Sequence, residues 1–177
     1  AKRLEPFDPQ RARETYLTAW GAASVAAQHV ALHEISYAVQ ALPRSGTRRP
    51  LDLLLDGLAL LTNSGHGAAA RTLQEAANAL AELPVDDVLC WGWMATAASN
   101  AVWDNDGALA IAACQVQLVR DAGALAELPL HLSALGTASA WTGDFAGAAS
   151  NVAEAESVAA AIGSVVAPWA SLRLLAL

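Results

Sequence analysis

A pattern that returns every 39 residues constrains this chain more than any other feature. Gly65, Asp104 and Gly143 sit at one phase, each closing an apolar run and opening another. The segments read LLLDGLALLTNSGHGAAARTLQEA, WMATAASNAVWDNDGALAIAACQV and LSALGTASAWTGDFAGAASNVAEA. Each is an apolar run, a short polar turn and an Ala-rich run. Periods of roughly 20–50 residues mark stacked repeat arrays, and helix–turn–helix repeats fall in that range. One pair alone cannot bury its apolar face, and stacking removes that face from water. The sequence thus points to an architecture, and to function only through what such arrays do, which is bind partners and relay contacts.

The spacing predicts an all-α chain: a right-handed α-solenoid of about four degenerate helix pairs, forming a single domain. The expected pairs cover residues 10–42, 51–82, 86–122 and 128–162, with a further helix over 168–177. Leu17, Trp20, Ser24 and Ala27 share one stripe of the first helix. The segment from Arg44 to Pro50 is rich in Gly, Pro, Ser and Arg and reads as a loop. Pro129 and Pro168 lie 39 residues apart, and both suit the first turn of a helix, with Pro50 one residue out of phase. Asp86 and Asp87 are expected to cap one helix start. Gly123 and Gly163 follow helical runs, as C-terminal caps do. β-Branched residues are scattered and Ala is abundant, which favours helix.

Hydrophobic residues make up 55% of the chain and charged residues 15%, too apolar for disorder. No run of about 18 uninterrupted apolar residues exists, so no membrane helix is expected. The start AKRLEPFDPQRARE is charged and polar, so no secretory leader is expected. The missing initiator Met and the apolar ending WASLRLLAL lead us to expect a piece of a longer polypeptide. The net charge is −7, and its positive share is concentrated in residues 1–50. An acidic surface repels phosphates, so no direct nucleic-acid contact is expected. Cys90 and Cys114 form no C-x-x-C pair and read as reduced, buried thiols of a cytoplasmic protein.

Few residues suggest chemistry. Gly65-His66-Gly67-Ala68-Ala69-Ala70 matches the loose form of a dinucleotide fingerprint, G-x-G-x-x-A. The preceding run, LDLLLDGLALL, is long enough for a helix, and the turns at Asp104 and Gly143 lack those glycines. A repeat turn is the expected reading. No G-x-x-x-x-G-K-[ST] phosphate cradle is present. His29 and His33 have a metal-seating spacing but no evident third ligand. His66 and His131 lack a Ser or Cys partner in any recognisable motif. Asp104 with Asp106 reads as capping. Glu154 and Glu156, two apart on a helix, diverge and make poor acid/base partners. No catalytic residue, metal or cofactor is expected; the chain reads as a non-enzyme.

The third segment resembles the tetratricopeptide pattern most closely, through Leu135, Gly136, Gly143, Phe145, Ala148, Val152 and Ala155. The second keeps Trp93, Ala97, Asp104 and Val116 in register, and the first keeps Leu54, Gly65, Ala70 and Ala77. The family's usual Tyr is replaced by Leu61, Asn100 and Ser139. The strings FDPQRARETYLTA, LDLLLDGLALL, WGWMATAASNAVWDNDGALAIAACQVQLVRDAGALAELPLHLSAL and TGDFAGAASNVAEAESVA resemble the large ATP-binding regulators of the LuxR type found in actinobacteria. That resemblance covers most of residues 5–177. It implies a parent with an NTPase module first, a helical repeat region next and a helix-turn-helix last. This chain would be the helical region, with the parent's other modules as partners.

The resemblance also implies that the first helix of each pair lines a concave surface. Carried over, that surface holds Asp52, Leu55, Ala59, Thr62, Asn63, Trp91, Met94, Ala98, Val102, Leu130, Ser133, Thr137, Trp141 and Trp169. An apolar groove with a few polar points suits a small-molecule effector or a protein segment. The competing reading is that these side chains pack on neighbouring repeats. Two functions follow: a regulatory module of a LuxR-type regulator, or a free-standing adaptor that docks peptides. Leu172, Leu174, Leu175 and Leu177 form an apolar end from which a homodimer is expected.

Overall fold

A computed structural model describes residues 1–43, 49–80 and 85–176, and all the regular structure among them is helical. The elements are α1 (Pro9–Val25), α2 (His29–Ala41), α3 (Pro50–Ser64), α4 (His66–Leu80), α5 (Val85–Ala101), α6 (Asn105–Asp121), α7 (Leu128–Trp141), α8 (Phe145–Ala161) and α9 (Trp169–Leu175). Arg44 to Arg48 of the expected loop, the last two residues of the 51–82 pair, and Leu177 lie outside the described residues.

The helices start where local chemistry allows. Asp8 caps α1, its carboxylate accepting the Arg11 N–H at 2.9 Å, and Pro9 follows at the first helical position. Asp104 and Asp144 cap α6 and α8 in the same way, each accepting a glycine N–H, from Gly107 and Gly147, at 2.9 Å. Pro129 lies in the first turn of α7, as expected. Pro168 is instead the residue before α9, because the chain turns into the helix only at Trp169. Asp86 and Asp87 likewise sit inside the first turn of α5 rather than before it, where they still complement the helix dipole.

The turns revise the repeat register. The turns after α1, α3, α5 and α7 each hold one residue of positive φ, Ala27 (φ 52°), Gly65 (φ 82°), Trp103 (φ 61°) and Gly143 (φ 87°), and Gly123 (φ 65°) and Gly163 (φ 69°) follow α6 and α8 as the expected C-terminal caps. The partner of Gly143 is therefore Trp103, and that of Asp104 is Asp144, the next helix's cap. The steps from Ala27 to Gly65, Trp103 and Gly143 are 38, 38 and 40 residues, not a uniform 39.

The fold packs as two compact units, Ala1–Glu82 and Leu83–Leu177. In the first, α2 packs against α1 and α3, α3 against α4, and α1 also meets α3. Its core holds Leu17, Leu54, Leu55, Leu58 and Leu73, all essentially inaccessible to water. In the second, α5 packs on α6, α6 on α7 and α7 on α8, while α9 lies against α7 and α8. Its core clusters Val116, Val119, Leu128, Leu132 and Ala155. Small residues set the helix spacing: a Cβ on Gly136 would lie 3.2 Å from the Ala148 carbonyl oxygen and 3.1 Å from Val152. Cys90 and Cys114 are exposed, against expectation, because each falls on the outward stripe of its helix.

Candidate functional site

The second unit carries a cleft of about 200 Å³ between α5, α7 and α9. Its walls are one stripe of each longer helix. Trp93, Thr96, Ala97 and Asn100 come from α5, and Leu130, Ser133, Ala134 and Thr137 from α7. Both sets have the i, i+3, i+4, i+7 spacing of one helix face. Val166, Ala167, Trp169 and Ala170 close the third side. Thr96 and Ala170 lie at its base, 2% and 4% exposed, while Ala97 is exposed. Leu130 and Trp169, at 43% and 71%, stand at the mouth.

The cleft has few polar groups, and two of them are committed inside the protein. Thr96 Oγ1 donates to Gln115 Oε1 at 3.3 Å, and Ser133 Oγ donates to the Pro129 carbonyl at 2.8 Å. Asn100 differs, since its Oδ1 is buried without a hydrogen-bond partner. Behind the wall, Gln115 Nε2 donates to the Gly92 carbonyl and Gln115 Oε1 lies 3.3 Å from His131 Nδ1. His131 is fully buried, its Nε2 has no partner, and burial pushes its pKa down.

Of the residues expected in the groove, Leu130, Ser133, Thr137 and Trp169 line this cleft. Met94 and Ala98 belong to the core of the same unit, at 1% and 0% exposure. Trp91 is half-buried elsewhere on α5, and Val102 lies in the turn after α5. The expected stripe on α5 is rotated from the observed one because it was placed 39 residues before that of α7, whereas the step between their two turns is 40: Trp93 and Ala97 stand 40 residues before Ser133 and Thr137 and line the cleft with them. Trp141 stacks edge-on to Trp103, ring centroids 5.9 Å apart, and lies 4.7 Å beneath the Arg173 guanidinium. Trp93, Thr96 and Asn100 were missed; their common stripe on α5 was the available signal.

The remaining expected residues lie in the first unit and serve its packing. Leu55 and Ala59 are core. Asp52, 4% exposed, binds Arg13 instead of lining a surface: Arg13 Nε donates to its Oδ1 at 2.7 Å. Arg13 also pairs with Asp56, and Arg49 Nε donates to Asp52 Oδ2 at 2.9 Å. Burial alone would raise the Asp52 carboxyl, but the hydrogen bonds and charges of Arg49 and Arg13 outweigh it and hold the pKa below the ordinary range. Thr62 Oγ1 accepts from Trp20 Nε1 at 3.3 Å, and Asn63 Nδ2 donates to Gln40. Tyr16 donates to Glu5 at 2.6 Å; burial first, then that carboxylate, pushes its pKa up to about 12.

The discounted motifs have structural roles. Gly65 to Ala70 joins helix α3 to helix α4, so the strand a dinucleotide fingerprint requires is not there. His33 Nδ1 lies 3.0 Å from Asn63 Oδ1, and among the described residues no three His, Cys, Asp or Glu side chains converge as a metal site. Glu154 accepts two hydrogen bonds from Arg120, at 2.6 and 2.8 Å. Among the described residues no helix is long and apolar enough to cross a membrane. Compared with protein families, with curated proteins and with solved structures, the chain finds no match.

Proposed function

We propose that this chain is the helical, non-catalytic sensing region of a large ATP-binding regulator of the LuxR type, and that its cleft between α5, α7 and α9 receives an effector. The tetratricopeptide-like solenoid of about four pairs belongs to the same proposal. The observation that supports it is the cleft itself: apolar walls, an exposed mouth and a small number of polar groups, as in pockets that take small molecules. Binding there would act on the parent's NTPase module by differential affinity for two arrangements of the regulator. The region itself supplies neither ATP chemistry nor DNA contact; a net charge of −7 disfavours the latter.

The coding sequence on either side of residues 1–177 tests the assignment. A phosphate-cradling G-x-x-x-x-G-K-[ST] segment before it and a helix-turn-helix after it are the expected finding. Absence of both overturns the regulator and leaves the peptide-docking adaptor. One observation favours that second reading: apolar side chains continue past the mouth, with Leu172 54% exposed beside Trp169.

A further inference from the structure

We infer that the cleft between α5, α7 and α9 receives a small, free quaternary ammonium ion, its alkyl groups lying against Trp93 and Trp169. The inference rests on the cleft being a ligand site, but not on the parent being a transcription regulator.

The walls come first. Trp93 from α5 and Trp169 from the start of α9 bring two indoles to one cleft. The face of an indole attracts a cation more strongly than any other aromatic side chain does. The same unit already uses that attraction once, with the Arg173 guanidinium 4.7 Å from the Trp141 ring centroid. Trp93 and Trp169 have no ring or cation partner among the described residues. An apolar cavity of about 150 Å³ holds a benzene ring, so the cleft's volume of about 200 Å³ has room for a trimethylammonium group with a short tail.

Charge decides the sign. Leu83–Leu177 carries nine carboxylate side chains against two arginines. Both arginines are engaged, Arg120 by Glu154 and Arg173 by Trp141. Among the described residues no charged side chain lines the cleft itself. Glu156, which joins no ion pair there, lines a smaller hollow that shares Ser133, Val166, Ala167 and Ala170 with the cleft. The field of the unit therefore draws a cation in and repels an anion.

Hydrogen bonding decides the kind of cation. A primary ammonium brings three N–H groups, each needing an acceptor. The Thr96 hydroxyl is buried against Gln115, and the Asn100 Oδ1 is buried out of a ligand's reach. Two side-chain acceptors are left, the hydroxyl oxygens of Ser133 and Thr137. Taking three N–H groups out of water against two acceptors is unfavourable. A quaternary ammonium has no N–H to satisfy, and its alkyl surface suits the apolar walls.

The test uses the 177-residue chain, choline as probe, and 3,3-dimethylbutan-1-ol, which has carbon in place of the charged nitrogen. Two-dimensional ¹H–¹⁵N spectra follow the indole N–H signals. Saturable shifts of Trp93 and Trp169 are expected with choline, and binding about fivefold weaker with the alcohol. Ethanolamine and phosphocholine should both bind less tightly than choline, the first through its N–H groups and the second through its phosphate. Trp169→Leu, at a position 71% exposed, leaves the core intact and should remove most of the preference for choline over the alcohol. Retention of that preference overturns the role of Trp169. Alcohol binding as tight as choline overturns the cation, and ethanolamine binding as tight overturns the quaternary class. Phosphocholine binding as tight assigns the cleft to a lipid headgroup and overturns the free ion. Each of these results leaves the effector reading standing. No saturable shift of either indole with choline or the alcohol, or shifts confined to Trp103 and Trp141, overturns the cleft as a ligand site and the effector reading with it.

Discussion

Trp103 occupies a position that an L-residue enters at a cost. Its φ of 61° matches the φ of 87° at Gly143, the glycine in the equivalent turn. Side chains in this left-handed region lose roughly 1–2 kcal/mol from Cβ crowding. The compensation is contact: Trp103 meets Trp141 edge-on at 5.9 Å, and such pairs contribute about 0.5–1.5 kcal/mol beyond their buried area. An unusual ordering follows. Trp103→Ala keeps the strain and loses the ring, whereas Trp103→Gly loses the ring and the strain together. Trp103→Gly should therefore be the more stable variant by about 1 kcal/mol, although glycine is the smaller residue. Urea denaturation of the two proteins decides it, and a less stable glycine variant would show that the turn carries no strain.

Helices were the most legible level, and α9 shows what their edges depend on. Pro, Asp and Gly at the ends set the boundaries, and these are local signals. Side-chain direction was legible only where packing follows the repeat. On α7 the stripe Leu130, Ser133, Thr137 could be read directly, because it continues one face of a single helix. On α5 it could not, since the register was carried over at 39 residues, while the step from the Trp103 turn to the Gly143 turn is 40 and moves the stripe by one residue. The Asp52 carboxylate was illegible for another reason: its partner Arg13 is 39 residues away, and nothing local to either residue announces the pair. Helix α9 has only seven residues, too few to persist without tertiary contacts. It is held against α7 and α8, and the Arg173 guanidinium 4.7 Å above Trp141 is one of those contacts. Cation–π pairs of this exposure contribute about 0.5–1 kcal/mol. Arg173→Ala should then lower amide protection within α9 roughly two- to fivefold, with α5 and α6 unchanged in hydrogen exchange. Unaltered protection in α9 would assign its seating to apolar contact alone.

At the scale of the whole chain, the two compact units carry acid-sensitive groups of opposite kinds. In Leu83–Leu177 it is His131, buried and neutral, with its pKa pushed down by burial. The unfolded imidazole takes a proton near pH 6.5, while the folded one resists. The unfolded state thus binds more protons below that point, and stability falls as pH drops under about 6.5. In Ala1–Glu82 it is Asp52: burial opposes its charge, but Arg49 and Arg13 prevail and lower its pKa. Its contribution is complete above the unfolded value of about 4 and is lost as pH falls through the lower folded value. Acidification should act in two steps. Between pH 7.5 and 5.5, amide protection factors should decline in α6 and α7 while α1 and α3 hold. Below about pH 4, α1 and α3 should follow. Each step should have its own genetic switch: His131→Leu removes the first, and Asp52→Asn removes the pH dependence of the second while lowering stability at neutral pH. The last effect is large, since breaking a buried ion pair costs about 3–5 kcal/mol. A uniform loss of protection from α1 through α8 in the histidine range would mean that neither core stands when the other opens, and that the two units fold as one.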